Sequence, residues 1–138
     1  MPKLVRLALV VPTLAIMAVA SATVALADNG VNVSVDPNAT LTAKVEVVVT
    51  VTASCPSGSF PMDNTVAIEE AVGKSIARGT GYMAGLQCTG ASQVIAVTIL
   101  ADPAGPPFKK GTAIVRASLS AWGTISGSAT TTVPVKIR

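Results

Sequence analysis

The residue types that most enzymes use for acid–base or nucleophilic chemistry are scarce in this chain. It has no histidine among its 138 residues, which removes serine or cysteine nucleophiles activated by histidine and metal sites built on histidine. The adjacent carboxylates of Glu69 and Glu70 are the one candidate pair for general acid–base work. On a strand, adjacent side chains point to opposite faces, so these two are not expected to share a substrate. We therefore predict a protein that is not an enzyme, with no catalytic residue, metal site or cofactor.

The first 27 residues have the three-part pattern of a cleavable signal peptide. A short basic start and the largely apolar run Leu7–Ala20 are followed by Ala25–Ala27, which fits the small-residue site of signal peptidase. The apolar run is short for a membrane span, which needs about 20 residues; a retained anchor is the alternative. We predict cleavage before Asp28, so that residues 28–138 form a secreted mature chain without a membrane span.

Removal of this leader changes the charge balance. The whole chain has 10 basic and 7 acidic residues and a net charge of +3. Lys3 and Arg6 leave with the leader, so 8 basic residues remain against 7 acidic ones, and the net charge falls to +1. No basic block is left that would indicate nucleic-acid binding. The remaining 111 residues (138 minus 27) are enough for a single domain with one core.

The two cysteines are the side chains most able to form a covalent bond. Cys55 ends the stretch "KVEVVVTVTASC", in which every second residue from Val45 is small or apolar. That phase places Cys55 on the buried face of a strand, and Cys88 lies 33 residues further along. An even cysteine count in an exported chain indicates a disulfide. We predict that Cys55 and Cys88 are joined and that their role is structural.

Alternating apolar and polar residues, with turn signals about every ten residues, predict strands along the rest of the chain. The predicted strands are Val31–Val35, Thr40–Cys55, Ser92–Leu100, Thr112–Trp122 and Ser128–Arg138, and the predicted loops are Pro56–Asn64 and Ala101–Gly111. A turn is expected at Asp36–Asn38. Pro134, which has no N–H to donate, favours a sheet edge for the last strand.

The stretch Thr65–Met83 allows two interpretations. As a hairpin, it would turn at Gly73 and Lys74, with Val66 and Ile68 on one face. As a helix, it would carry Gly73 in its interior, which costs about 1 kcal/mol relative to alanine. The hairpin is favoured, and it brings the total to about seven strands. Together these features predict an all-β fold, an immunoglobulin-like β-sandwich.

Four aromatic residues supply the candidate contact surfaces: Phe60, Tyr82, Phe108 and Trp122. Trp122 is out of phase with the apolar face of its strand, and Phe108 lies in a proline-containing loop next to two lysines. We predict that Phe108, Lys109 and Lys110 form the contact site for a partner. In the alternative interpretation, Phe108 folds under the loop and the lysines keep a sheet edge soluble.

Three short stretches, "VTVTASCP", "CTG" and "PFKKGTAIVRASL", resemble a group of small secreted actinobacterial proteins of uncharacterised function. The resemblance covers most of the mature chain and implies an exported β domain stapled by a disulfide. The chain is also similar, more weakly, to the neocarzinostatin-type apoproteins, which are secreted sandwiches that hold a chromophore in a cleft. Those proteins have two disulfides, whereas this chain has two cysteines.

These observations lead to one expected function and one alternative. We expect a secreted, non-catalytic β-sandwich domain with a structural or protein-binding role, whose partner is a protein or another component of the cell surface. The alternative is a carrier of a small ligand, which would need an apolar cleft of roughly 300 Å³ or more between the sheets.

Overall fold

A computed structural model describes residues 29–138 of the chain, so the predicted signal peptide and its cleavage site lie outside the described residues. The described part contains strands and no helix, which confirms the all-β prediction. The strands are β1 (Asn32–Ala43), β2 (Glu46–Ser54), β3 (Ser59–Val72), β4 (Ser75–Tyr82), β5 (Gln93–Leu100), β6 (Gly111–Gly123) and β7 (Gly127–Ile137). They form one mixed sheet in the order β4-β3-β6-β7-β1-β2-β5.

The alternation in β2 works as its sequence predicts. Val47, Val49, Val51 and Ala53 are buried, and the residues between them are only half-buried. β2 pairs antiparallel with β1 on one side and with β5 on the other, so its backbone polar groups are satisfied within the sheet. Val45 departs from the pattern because it lies in the turn before β2, where its side chain is 52% exposed.

Two predicted boundaries in this region are wrong. The chain does not turn at Asp36–Asn38; β1 continues through these residues, which form an irregularity in its pairing with β2. The residues of the predicted turn are accommodated as a bulge within β1. The reversal comes instead at Lys44 and Val45, between the end of β1 and the start of β2.

The stretch Thr65–Met83 is a hairpin, as favoured by its sequence, and the helix interpretation is excluded. β3 pairs with β4 from Thr65 opposite Tyr82 to Val72 opposite Ser75. Gly73 lies in the tight turn between them with a φ of 61°, a conformation that costs glycine little and other residues more.

The sheet curls until its two edge strands meet. At Gly79 of β4, a Cβ atom would lie 2.3 Å from the carbonyl oxygen of Leu100 in β5, and at Gly81 it would lie 2.8 Å from that of Thr98. Only glycine allows two backbones to approach so closely. The backbone N–H of Asp102 closes the seam further by donating to the carbonyl of Arg78 at 2.7 Å.

β1 also connects the two halves of the sheet. Its middle pairs in parallel with the end of β7, at Asn38 opposite Lys136 and Ala39 opposite Ile137. Arg138 extends this contact with two backbone hydrogen bonds, donating to Ala39 at 3.0 Å and accepting from Leu41 at 2.9 Å. β7 therefore lies inside the sheet order, and the predicted edge position of the last strand is wrong. The pairing of β1 with β7 begins at Lys136. Pro134 lies before this point, so β1 does not pair with β7 at the residue that lacks an N–H.

The predicted disulfide is present. Cys55 and Cys88 are bonded, and Cys55 is fully buried at the end of β2, as the strand phase predicts. The bridge ties the end of β2 to the connection between β4 and β5, and Gly90 of that connection donates its N–H to the carbonyl of Cys55 at 2.9 Å. On the chain-entropy model, closing a loop of 33 residues stabilises the fold by about 3–4 kcal/mol.

Candidate interaction surface

Phe108 is part of the core. Its side chain is 2% exposed and is the largest of the fully buried ones. The core is otherwise built mostly of valine, alanine and isoleucine, so this ring fills more of its volume than any other single side chain. The prediction that Phe108 contacts a partner is therefore wrong. In the structure Phe108 folds under its loop, as in the alternative interpretation.

A buried carboxylate holds the loop over the core. Glu70 is 4% exposed, and its Oε2 atom accepts the backbone N–H of Lys109 at 2.9 Å. Glu69, next in the strand, is exposed on the opposite face. The two carboxylates thus have separate surroundings, and they are not placed as an acid–base pair.

Lys109 and Lys110 are exposed, which both interpretations of this loop require. They precede Gly111, the first residue of β6, whereas Trp122 lies next to the last residue of that strand. At about 3.3 Å per residue, the lysines are roughly 40 Å from Trp122 along β6. They therefore lie at the opposite end of β6 from the Phe60–Trp122 pair.

The other three aromatic residues share one surface. The side chains of Phe60 and Trp122 are each 68% exposed, and that of Tyr82 is 65% exposed. Phe60 of β3 lies directly opposite Trp122 of β6, and Tyr82 of β4 lies opposite Thr65 of β3 on the same side of the sheet. We call this surface the aromatic face; it comprises the outward residues of β3, β4, β6 and β7 between the Phe60–Trp122 pair and Tyr82.

Close contacts between two turns hold the aromatic pair in register. The Ser59 hydroxyl donates to the carbonyl of Ile125, and Thr124 donates its backbone N–H to the carbonyl of Gly58 at 3.3 Å. A Cβ atom at Gly123 would lie 2.5 Å from that same carbonyl oxygen, so the two chain segments pass in direct backbone contact. The start of β3 is thereby fixed against the end of β6.

Sequence reasoning placed Phe60 in a loop and so missed its pairing with Trp122. β3 begins at Ser59, and the predicted loop Pro56–Asn64 is mostly strand. Pro61 and a bulge before Asp63, where Met62 is the extra residue, break the alternation that would have marked a strand. The outward direction of Trp122, by contrast, follows from its phase in β6 and is confirmed.

Small polar side chains occupy the aromatic face between the rings. The row next to the aromatic pair holds Asp63, Ser120 and Ser128, and the row after that holds Thr65, Ser118, Thr130 and Tyr82. Thr65 donates its hydroxyl to Asp63 Oδ1 at 3.0 Å, Asp63 donates its N–H to Ser120 Oγ at 3.2 Å, and Thr130 donates to Ser118 Oγ at 3.3 Å. These bonds direct the hydroxyl groups of Thr65 and Thr130, while Ser118 and Ser120 act as acceptors.

Separate clefts lie near the seam between β4 and β5. One, of about 400 Å³, is lined by Ile68, Gly79 and Leu100 but also by the charged residues Glu69 and Arg78. A neighbouring cleft of the same volume contains Arg78 together with Asp102. Both open at the seam, where charged side chains line them.

Two further observations concern residues 29–138 alone. In that part of the chain, no three cysteine, aspartate or glutamate side chains lie close enough together to hold a metal ion. The same residues include no helix with the length and apolar character needed to cross a membrane.

No protein-family model matches the chain, and neither a curated protein nor a solved structure is significantly similar to it.

Proposed function

We propose that this protein is a secreted, non-catalytic β-sandwich domain with a structural or binding role at the cell exterior. The observation that carries the proposal is the aromatic pair Phe60–Trp122, two large rings that the fold holds opposite each other and leaves 68% exposed. Clustered exposed apolar side chains on a folded protein are typical of interaction sites. Aromatic rings of this kind contribute most of the binding energy in many interfaces.

The strand pairing supports a sandwich of the immunoglobulin-like class. Among residues 29–138, β1, β2 and β5 pair in one group and β4, β3, β6 and β7 in another, and the strand pairing that joins the groups is the short parallel one of β1 with β7. Each group buries alternate residues, so that the two inner faces enclose one core. The meeting of β4 with β5 at Gly79 is consistent with layers that face each other.

The compartment is supported by the disulfide and by the leader-like start of the sequence. A bond between Cys55 and Cys88 forms and persists in an oxidising environment such as the cell exterior. The non-catalytic assignment is supported by the lack of histidine in the whole sequence and by the opposite orientation of Glu69 and Glu70.

Retention by cell envelopes tests the proposal. The exported protein should sediment with washed envelopes of the producing cells, and Phe60→Thr combined with Trp122→Thr should leave it in the supernatant. Threonine keeps the preference for a strand, so the fold should survive. Val94→Thr is the matched control, because Val94 is 73% exposed on β5, away from the aromatic face. Equal retention of the double variant and the control, or no retention of the wild type, would reject the proposed role.

A carrier of a small ligand is the second candidate, and one observation favours it. The cleft at the seam has about 400 Å³, enough for a small molecule. Its lining mixes Ile68 and Leu100 with Glu69 and Arg78, so its occupant would be polar rather than a purely apolar chromophore. Native mass spectrometry of the exported protein tests this candidate. The wild type should carry a bound small molecule, and Gly79→Ala, which changes the lining of the cleft, should lose it.

A further inference from the structure

We infer that the aromatic face binds a neutral polysaccharide chain. The inference rests on the proposed function, since it names the class of partner for the same surface. Three features of the face carry it: the spacing of its exposed rings, the hydroxyl groups held between them, and its low charge.

The rings offer stacking positions for sugars. The faces of pyranose rings present C–H bonds that carry a small positive charge, and the face of an aromatic ring is negative. Phe60, Trp122 and Tyr82 each leave about two thirds of their side chain accessible. Because all three project from the same side of the sheet, one chain of sugars can contact them in succession.

The distance between the rings suits a short oligosaccharide. Tyr82 lies opposite Thr65, about four strand residues beyond Phe60 once the bulge is discounted, and one strand to the side. At about 3.3 Å per residue and 4.8 Å between strands, Tyr82 is roughly 14 Å from the Phe60–Trp122 pair. A sugar chain that contacts the rings at both ends must therefore pass over the row of Asp63 and Ser120.

That row supplies the hydrogen bonds that sugar hydroxyls need. Ser120 Oγ and Ser118 Oγ accept bonds from Asp63 and Thr130, so their own O–H groups are left to donate to a ligand. The carboxylate of Asp63 accepts from Thr65 at one oxygen and has further acceptor positions. Hydrogen bonds already hold the side chains of Asp63, Thr65 and Thr130 before any ligand arrives, which lowers the entropy cost of binding.

The charge of the face favours a neutral ligand. Asp63 is the one charged residue in the two polar rows, and the first basic residue along β6 is Arg116, in the row beyond Ser118. Within the two polar rows an anionic polymer would meet the negative charge of Asp63 and no positive charge, since Arg116 lies one row further along β6.

The area of the rings also favours a narrow ligand over a folded protein. Three aromatic side chains of about 150–250 Å² each, two-thirds exposed, present roughly 400 Å². A stable protein interface buries about 800 Å² on each side. A second copy of this chain or another protein would therefore have to cover, besides the rings, a surface of hydroxyl groups as large as the rings themselves. A sugar chain has the mixture of C–H faces and hydroxyl edges that this surface presents.

Trp122 reports directly on binding because it is the only tryptophan in the chain. We propose fluorescence titrations of the exported protein with cello-, chito- and malto-oligosaccharides, and sedimentation with the corresponding insoluble polysaccharides. At least one of these neutral saccharides should change the Trp122 emission saturably at concentrations up to millimolar. Phe60→Thr and Tyr82→Thr should each weaken that binding roughly fivefold or more, and Val94→Thr should leave it unchanged. Heparin, an anionic polysaccharide, should not compete.

The outcomes separate this inference from the proposed function. If none of the neutral saccharides changes the emission or retains the protein, the inference is overturned, and envelope retention that still depends on Phe60 leaves the proposed function intact. If that retention is absent as well, both are overturned. Sedimentation equilibrium adds one more decisive outcome, because a dimer that Phe60→Thr dissociates would assign the aromatic face to a second copy of the chain.

Discussion

Replacing Gly79 with alanine should separate the two edge strands where the sheet closes on itself. The added Cβ atom would lie 2.3 Å from the carbonyl oxygen of Leu100 and 2.7 Å from Cγ2 of Ile99. Carbon atoms pack at about 3.5–4.0 Å, so β4 and β5 would have to move apart by about 1 Å. The obstacle on one side is backbone, which cannot rotate away as a side chain could.

The size of the effect follows from two opposing contributions. Forcing an extra methyl group into a packed site costs about 1–3 kcal/mol, and contact with backbone places Gly79 at the upper end of this range. Alanine loses less conformational entropy than glycine on folding, which returns roughly 0.5–1 kcal/mol. The net loss in the free energy of unfolding should be about 2 kcal/mol, and the melting temperature should fall by about 8 °C.

Urea unfolding followed by circular dichroism measures this loss, which should lower the midpoint without changing the m-value. Gly81→Ala should cost less, because its Cβ atom would lie 2.8 Å from the carbonyl oxygen of Thr98. Gly105→Ala is the control, with its closest atom, the carbonyl oxygen of Ile76, at 3.3 Å. If Gly79→Ala is as stable as Gly105→Ala, β4 does not approach β5 in solution and the closed seam is refuted.

Three further predictions concern the disulfide, the buried Phe108 and the hydrogen bond of Glu70. Replacing both Cys55 and Cys88 with alanine should lower the free energy of unfolding by about 2–5 kcal/mol; in urea unfolding, an unchanged midpoint would contradict the structural role of the bridge. Phe108→Ala should lower the free energy of unfolding by about 3–5 kcal/mol in the same assay, and any envelope binding by the folded fraction should persist. Loss of binding with unchanged stability would instead make Phe108 a contact residue. Glu70→Ala should cost about 1–3 kcal/mol because the part-buried N–H of Lys109 loses its acceptor. Glu70→Gln keeps an acceptor oxygen and should cost less, so equal losses in thermal melts would refute that role for Glu70.

The parts of the fold that were predictable from sequence depend on short-range periodicity. The strict alternation of β2 determines which residues face the core, and it therefore gives the burial of Cys55 as well. The hairpin of β3 and β4 follows from Gly73, since a helix would have to carry that glycine in its interior. The outward direction of Trp122 has the same origin, namely its phase within β6.

The parts that were not predictable depend on residues distant in sequence. The residue after Phe108, Lys109, donates its backbone N–H to Glu70, which lies 39 residues before Lys109 and so holds the loop from a distant strand. Nothing within the loop itself distinguishes a ring that folds inward from one that points to solvent. The pairing of Phe60 with Trp122 was hidden because Pro61 and the bulge obscure the start of β3, and strand order is a property of the whole chain.

The parallel contact between β1 and β7 determines how the molecule bears mechanical tension. The two strands run in the same direction, so a force that pulls Asn32 and Arg138 apart slides β1 and β7 past each other. The backbone hydrogen bonds that join Arg138 to Ala39 and to Leu41 are then loaded together, in shear, instead of breaking one at a time as in a peeled hairpin. Forced unfolding is governed by its barrier, and this geometry raises that barrier for a pull along the strands. The disulfide keeps the 33-residue loop between its cysteines from extending even after the sheet has opened. The described domain should therefore resist a pull along its strands more than a pull that peels a hairpin apart.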